Sequence, residues 1–514
     1  MELLLSHQTQ FVRIFSQIHR SADTTSLMKS LQNLIVSLRK TIMTETSPSI
    51  QLSHFTLLKL LFKLIVYTRD IGGGLGERNI SYCMLFIWKY HFPLPTAYCL
   101  HQMVSGSGSY GSWRDIKGLC DFIRKHFEKG EQDPFIETCI GLMNHQLDQD
   151  CRDHNKNKNI SLVSRWIPRE SSANKWLYER CALQWIRAFR PQYLKSAGRD
   201  SYSLNRAINK GKKEYRLICT SLSKHTETIQ IKQCANLWDT INPEHIPMHA
   251  FSTQRNGLLN IGLNGNLRTK TSCSEDRQAC ALKIQSWWGS RKSRPVFIEM
   301  GAIIKHTLSV SHHHKKTAES LWSSVLNQIP TSSTLMIPIL DMSMFHTDPE
   351  SFYHALGMAL AIACKCGDKR LVVFDKTARL VTLSGNLSHM MDIMKPIYHE
   401  HHIGSVIENA FSLAYQTHEK PDTLLVVFSC CSDHEDRTAR QDNVLYWGSG
   451  FRKLNDKIFV GCTNHTIARI AEIQADTWKQ MTPFLLIQYL LSHKRYDPIE
   501  TYFDTILTGG RSPP

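Results

Sequence analysis

Apolar residues recur at helical spacing through the first 275 residues of the chain. Within residues 12–18, 31–38 and 57–64 they follow the i, i+3, i+4 pattern that places side chains on one face of a helix. No comparable run of alternating apolar and polar residues interrupts them. We therefore predict an irregular array of helix pairs of the HEAT type, an architecture whose surface commonly binds extended partners.

The pattern changes at residues 335–345, where a short apolar run ends in Asp341 and Ser343 follows two residues later. Such a run is typical of a buried parallel strand, because a carboxylate at its carboxyl end can still reach solvent or a ligand. Similar runs at 370–375 and 424–429 predict an open α/β sheet with helices on both faces. Pro338 is unfavourable within the first predicted strand, since proline cannot donate a backbone hydrogen bond to a neighbouring strand.

These patterns predict an α + α/β protein in three parts. Residues 1–275 form the α-helical HEAT-like module, and residues 276–330 form a basic bridging segment. Residues 331–514 form an α/β domain of the Rossmann-like class. With 42% hydrophobic and 21% charged residues among 514, the chain has the composition of a globular protein.

The formal net charge of +16 favours polyanionic partners. Basic residues are densest between Lys156 and Arg216, where aromatic residues lie among them. Lysine and arginine neutralise phosphates, and an exposed aromatic ring can stack on an unpaired base. The alternative is that the tryptophans belong to the core and the charges to a solvated helix face. The residues that we assign to RNA binding are Lys156, Lys158, Arg165, Arg169, Lys175, Trp176, Arg206, Lys210, Lys212, Lys213 and Arg216.

The beginning of the chain lacks the basic head and the long apolar run of a secretory signal. Its most apolar window, residues 55–67, contains Lys59 and Lys63 and is too short to span a bilayer. We therefore expect no membrane association. We also expect the fifteen cysteines to be reduced thiols, in the cytoplasm or the nucleus.

Three local signatures precede the predicted strands, at residues 68–78, 109–115 and 164–171. In this order, and ahead of an α/β domain that resembles a von Willebrand A domain (an A-type domain), they resemble a TROVE-related family found in plants and large DNA viruses. That family is similar in architecture to the Ro autoantigen, which joins a helical-repeat module to a von Willebrand A domain. The resemblance covers nearly the whole chain. It implies RNA binding, since Ro binds small structured RNAs and the ends of misfolded RNAs.

The first signature is rich in glycine, and we interpret it as a structural turn between two helices. It follows a helix rather than a strand and lacks the Gly-Lys-Ser/Thr ending of a phosphate-binding loop. Direct nucleotide binding is the alternative.

The resemblance also implies a metal site at the end of the first strand. The first loop of an A-type domain reads Asp-x-Ser-x-Ser; Asp341 and Ser343 match it, but Phe345 stands in place of the second serine. The threonine-bearing loop of the family aligns on Ser405, and its later aspartate falls on Cys430. Because hard cations need a full set of oxygen ligands, we expect weak or absent binding of Mg²⁺ or Mn²⁺ at a degenerate site of Asp341, Ser343 and Ser405.

Two polar segments lie beside this degenerate site in the predicted topology, at residues 399–402 and 433–436. Their histidines and carboxylates could supply substitute ligands. The simpler interpretation, which we favour, is that they are ordinary polar loops.

No motif in the chain indicates an enzyme, because it has no nucleophile elbow, kinase signature, HExxH sequence or complete phosphate loop. A basic amphipathic segment at 279–294 is typical of calmodulin targets, but its spacing is one residue short of an IQ motif, so we do not expect calmodulin as a partner. We therefore predict a non-enzymatic RNA-binding protein of the ribonucleoprotein type. The alternative is a protein-interaction adaptor that holds its partner through the loop face of the A-type domain.

Overall fold

A computed structural model gives the fold of most of the chain. It describes residues 2–18, 23–104, 110–128, 130–195, 201–226, 228–246, 254, 256–262, 268, 275–290, 300–308, 312–400, 406–417, 423–429, 444–447, 457–459 and 464–507. Every structural statement below concerns these residues.

Helices account for the regular structure of the described residues before Met336. In chain order they are α1 (Glu2–Ser16), α2 (Thr24–Thr44), α3 (Pro48–Arg69), α4 (Arg78–His91), α5 (Pro93–Val104), α6 (Trp113–His126), α7 (Pro134–His154), α8 (Val163–Trp166), α9 (Lys175–Phe189), α10 (Pro191–Lys195), α11 (Ser201–His225), α12 (Ile229–Cys234), α13 (Glu275–Ser290), α14 (Met300–Thr307) and α15 (His312–Gln328). The helical character predicted for the first 275 residues is confirmed for their described part.

From Met336 onward, the described residues contain both strands and helices. In order they are β1 (Met336–Asp341), α16 (Met344–Thr347), α17 (Pro349–Lys365), β2 (Arg370–Phe374), β3 (Ala378–Thr382), α18 (Leu387–His399), α19 (Ile407–Thr417), β4 (Leu424–Phe428), β5 (Val444–Trp447), β6 (Lys457–Phe459), α20 (Asn464–Ala471), α21 (Ala475–Gln480), α22 (Pro483–Leu491) and α23 (Asp497–Leu507). The α + α/β class is therefore confirmed.

The six strands form one sheet in the order β3-β2-β1-β4-β5-β6. Neighbouring strands are parallel except for β2 and β3, which are antiparallel. Parallel strands place their carboxyl ends at one edge of the sheet. This edge therefore gathers the ends of β1, β2 and β4, at Asp341, Asp375 and Ser429.

Both faces of the central strand are covered. Alternate residues of β1, Ile337 and Ile339, pack against α19 in a cluster with residues of β2, β4 and β5. The residues between them point to the opposite face, and all six residues of β1 are buried. Helix α17 packs against β1, and α14 packs against α17 so closely that a side chain on Gly357 would lie 2.9 Å from Met300 Cβ.

Pro338 lies in β1 without interrupting the sheet. Its neighbour in β4 is Val426, while the pairing of β1 with β2 begins one residue later, at Ile339 and Val372. The proline therefore precedes the first paired residue on the β2 side. β1 ends at Asp341, as the sequence predicts.

The glycine-rich segment after α3 is a tight turn. The amides of Leu75 and Glu77 donate to the carbonyl oxygens of Tyr67 and Thr68, at 2.9 and 2.8 Å. A Cβ on Gly74 would lie 1.8 Å from the Tyr67 carbonyl oxygen, so no larger residue fits there. Glycine is required here by the close approach of the backbone to itself, which is the structural role that we expect for this segment.

The structure groups into two compact units. The first unit consists of Met1–Glu77 and Trp238–Lys494, and the second consists of Arg78–Leu237 and Arg495–Pro514. This grouping differs from the division at 275 and 330 that the sequence predicts. The sequence division follows the change from helical to strand pattern along the chain, and such a pattern does not specify which helices pack together. Within the first unit, for example, Phe11 of α1 packs edge-on against Phe484 of α22, with ring centroids 6.0 Å apart.

Helix α3 is long and apolar enough, by length and composition alone, to cross a membrane. Its most apolar window is 56% buried within the protein. The core helix of a globular protein meets the same criterion, so α3 does not by itself indicate a membrane.

A buried polar network connects three helices of the second unit. Asn144 of α7 donates to the carbonyl oxygen of Cys181 in α9 at 2.9 Å and to Gln184 Oε1 at 2.7 Å. It accepts from the Tyr215 hydroxyl of α11 at 2.8 Å. Asn144 and Tyr215 are both fully buried. These bonds therefore fix α7, α9 and α11 relative to one another.

We expect Tyr215→Phe to lower the free energy of unfolding by about 1–3 kcal/mol, because the buried Asn144 Oδ1 loses its donor. Chemical denaturation of the full chain measures this. Tyr202→Phe is the matched control, since Tyr202 is on the same helix but 76% exposed, and we expect it to change stability by less than about 0.5 kcal/mol. Equal stability of the two variants would contradict a structural role for the network.

Candidate nucleic-acid interface

One face of α11 is buried against the rest of the second unit. Gly211, Tyr215 and Leu222 are its buried residues. A Cβ on Gly211 would lie 2.5 Å from Ile186 Cδ1 of α9, so a larger residue would require the Ile186 side chain to move. The packing of this face therefore determines which side chains of α11 face solvent.

The opposite face of α11 carries a row of basic residues. At 100° per residue, seven side chains lie within about 40° of one line along the helix, and we call them the α11 stripe. They are Tyr202, Arg206, Lys210, Lys213, Leu217, Thr220 and Lys224, and all are exposed. Tyr202 and Lys224 are twenty-two residues apart, so the stripe is about 33 Å long at 1.5 Å per residue.

The stripe has little negative charge to oppose it on its own helix. α11 contains six lysine or arginine residues and a single carboxylate, Glu214. That carboxylate accepts from Arg190 Nε at 2.9 Å and from the Tyr193 hydroxyl. Glu214 also interacts with Lys210, four residues earlier, so α11 itself offsets at most one of the positive charges on its outward face.

A cavity of about 1040 Å³ opens beside the stripe, and we call it the basic pocket. Its volume is at the upper end of the range of small-ligand sites, about 300–1,000 Å³. Thr220 and Lys224 line it, so the pocket adjoins the stripe. Its charged residues are Arg165, Arg169, Glu170, Arg216 and Lys224, and its apolar residues include Ile167, Pro168, Tyr178, Ile231 and Ala235.

The pocket is positively charged at neutral pH. Four cations and one carboxylate line it, which leaves a formal charge of +3. Burial raises the pKa of the Tyr178 hydroxyl to about 12 and raises the pKa of the Cys219 thiol, so both remain neutral. The carboxylate, Glu170, pairs with Arg216 at 2.9 Å, but both side chains are about half exposed and such pairs contribute little stability. An incoming anion can therefore compete for Arg216.

Two of the sequence signatures contact each other beside this pocket. Residues 164–171 supply one wall of it. Trp166 of that segment lies beneath two guanidinium groups, those of Arg114 at 5.7 Å and Arg165 at 5.9 Å from the ring centroid. Arg114 belongs to the signature at 109–115, whose Asp115 accepts from the Tyr82 hydroxyl at 2.8 Å. The signature at 164–171 therefore forms one wall of the pocket, and the signature at 109–115 contacts that segment through Arg114 and Trp166.

The structure divides the residues that we assigned to RNA binding. Arg165, Arg169 and Arg216 line the pocket, and Arg206, Lys210 and Lys213 lie on the stripe. Lys156 and Lys158 are exposed in the turn after α7. This turn lies near the end of α11, since the rings of His154 and His225 are 4.2 Å apart. Lys175 and Lys212 both approach Glu179, at 3.8 and 3.9 Å.

Trp176 lies in neither group. Its ring is half-buried beneath Arg124, 5.2 Å from the guanidinium carbon, and its indole Nε1 is buried. Trp185 is fully buried. The exposed aromatic residue of the stripe is instead Tyr202. Tyr202 and Lys224 also belong to this surface, although we did not assign them to RNA binding from the sequence. The 3.6-residue period of the helix, followed in both directions from Lys210 and Lys213, would have identified them.

The second candidate site lies at the carboxyl end of β1. Asp341 is fully buried, and its Oδ1 accepts from the amide and hydroxyl of Ser343 at 3.0 and 2.6 Å. Its Oδ2 accepts from the Ser429 hydroxyl, 2.6 Å away at the end of β4. The carboxylate therefore has three hydrogen-bond donors from within the protein.

Ser429 is the residue of this site that sequence reasoning missed. The alignment with A-type domains draws attention to Cys430, and the serine just before it supplies the oxygen. Ser405 and Cys430 lie outside the described residues, as do the segments 401–402 and 433–436. Phe345, in place of the second serine, packs among aromatic rings, with centroids 5.3 Å from Phe352 and 5.0 Å from Tyr398.

The described residues around Asp341 do not fit a strong magnesium site. They provide one carboxylate and two hydroxyl groups, and both hydroxyls donate to that carboxylate. Mg²⁺ requires near-octahedral oxygen coordination. Within the described ranges, no group of three or more His, Cys, Asp or Glu side chains is placed to hold a metal ion.

Comparison of the chain with protein-family models and with curated proteins found no match.

We expect titration calorimetry of the full chain with Mg²⁺ or Mn²⁺ to detect no binding tighter than millimolar at Asp341. The reason is that hydroxyl donors occupy both carboxylate oxygens. Micromolar binding that disappears in Asp341→Asn would contradict this expectation. Binding that persists in the variant would assign the ion to another site.

Proposed function

We propose that this protein binds RNA without catalysing a reaction, through the α11 stripe and the basic pocket. The observation that carries the proposal is the continuity of the two: Lys224 belongs to both, so exposed cations lead along α11 to a cavity with a formal charge of +3. Phosphate groups are the general partner of such an extended basic surface. The cytoplasm or the nucleus is the compartment where it would meet RNA.

The finer fold assignment belongs to the same proposal. The helices of residues 1–275 are taken as a HEAT-like module, and residues 331–514, with the buried Asp341, as a von Willebrand A-type domain. The parallel strand order and the Asp341–Ser343 pair at the end of β1 support the second assignment. In this scheme the helical module carries the RNA and the A-type domain has a degenerate metal site.

A protein-interaction adaptor is the second candidate function. It is favoured by the aromatic residues around Phe345, which lie next to Asp341 at the edge where A-type domains hold their partners. His346 and His399 are exposed members of this group. Aromatic residues are enriched at protein interfaces. The adaptor becomes the better proposal if the protein binds no RNA at low salt.

We expect replacement of Arg206, Lys210 and Lys213 by glutamine to weaken the binding of RNAs of many sequences. If each cation neutralises one phosphate, the slope of log affinity against log salt should fall by up to about two, at about 0.7 per single-strand contact. Fluorescence anisotropy at a series of salt concentrations measures both quantities.

The matched control for this triple variant replaces Lys29, Lys40 and Lys395 by glutamine. These lysines are also exposed and on helices, and the change of net charge is the same. We expect the control to keep the slope of the parent protein. Equal effects of the two triple variants would mean that overall charge, and not the stripe, attracts RNA.

We expect Tyr202→Ala to lower affinity for single-stranded RNA by about fivefold to a hundredfold, as the loss of one stacked base at about 1–3 kcal/mol implies. Tyr202 is 76% exposed, so the melting temperature should not change. Tyr202→Phe keeps the ring and should keep the affinity. Unchanged binding by Tyr202→Ala would show that no base stacks at this end of the stripe.

A further inference from the structure

The basic pocket has a chemical character that the α11 stripe lacks. The stripe consists mainly of exposed cations, which suit a phosphate backbone and do not distinguish single strands from duplexes. The pocket combines its cations with apolar side chains, among them Ile167, Pro168 and Ile231, and with the Tyr178 ring, which is 2% exposed. Phosphate alone gains nothing from apolar surface. The ligand that fits therefore has an anionic part and a flat apolar part.

We infer that the pocket receives one unpaired nucleotide of a single-stranded RNA, with the base between the apolar residues and its phosphates on Arg165, Arg169, Arg216 and Lys224. The inference rests on the proposed function and specifies the substrate class of the same surface. A base in a duplex is stacked and paired and cannot enter a side pocket, whereas an unpaired base can leave the strand. The pocket thus selects single strands.

Polar groups are available to the base within the pocket. Ser223 Oγ donates to Ser164 Oγ at 3.2 Å on its wall, and both residues line the cavity. The hydroxyl of Thr228, also in the lining, is buried and has no hydrogen-bond partner among the described residues. Hydroxyl groups donate and accept, so they can bond to any base edge. We therefore expect no strong preference for one base.

The position of the pocket suits a strand that follows the stripe. Thr220 and Lys224 lie in the lining and, by helix geometry, within about 40° of the line of the stripe. A backbone bound by Arg206, Lys210 and Lys213 would reach the mouth of the pocket at its end. One nucleotide can then turn inward while its neighbours remain on the helix.

The test fills the pocket without changing its charge. Cys234 and Ala235 line the pocket and are exposed, so Cys234→Trp and Ala235→Trp add volume at its rim without disturbing the core. Leu237→Trp is the matched control, because Leu237 is 48% exposed in the same segment and does not line the pocket. Melting temperatures of the full-length variants establish that each is folded.

Anisotropy with a labelled twelve-nucleotide single strand and with the matching duplex gives the readout. We expect either pocket variant to lose about tenfold in affinity for the single strand. The salt slope for the single strand should fall, because the phosphates of the excluded nucleotide lose their contacts with the pocket cations. The affinity for the duplex should remain that of the parent, since no charge is removed from the stripe. Adenosine or uridine monophosphate should displace the single strand from the parent, whereas inorganic phosphate at equal ionic strength should not.

The outcomes separate this inference from the proposed function. If the pocket variants bind the single strand as tightly as Leu237→Trp does, the pocket holds no nucleotide, although RNA binding by the stripe stands. If the parent binds neither RNA, the proposed function itself fails. If a poly-glutamate peptide displaces the single strand and the monophosphates do not, the pocket is a site for acidic protein segments and the inference is overturned.

Discussion

The fixed rotation of α11 is the constraint on which the candidate interface depends. The hydroxyl of Tyr215 donates to buried Asn144, and Gly211 lets α11 approach Ile186 of α9. Because an α-helix places side chains at 100° intervals, fixing one face fixes the other. The burial of a few uncharged residues thereby holds exposed cations in a row, although each of those cations is attached by a flexible side chain.

The position of α11 also forms one side of the basic pocket. The segment around α8 and the beginning of α12 face α11 across a space that no described side chain fills. Arg165 and Arg216 both line that space, and Glu170 offsets part of the charge through its ion pair with Arg216. In the first unit, the buried Asp341 is arranged differently, because its charge is satisfied by Ser343 and Ser429. One site has surplus charge, whereas the other has its charge satisfied internally.

The sequence predicted those features that depend on neighbouring residues. An apolar run that stops at Asp341 predicts a strand end, and the density of lysine and arginine predicts a basic surface. It did not predict Ser429, whose partner lies 88 residues earlier. Nor did it predict the pocket, since Arg165 and Arg216 come to line one cavity only through tertiary packing. The grouping of α1–α3 with the sheet follows from contacts that no local pattern encodes.

The Trp166 ring joins two parts of the chain that are distant in sequence. Its ring lies beneath Arg114 and Arg165, so the signature at 109–115 and the signature at 164–171 share one aromatic residue. Replacement of Arg114 would leave the Trp166 ring with one neighbouring guanidinium group, that of Arg165. Two motifs that are far apart in the printed sequence thus meet at one aromatic ring.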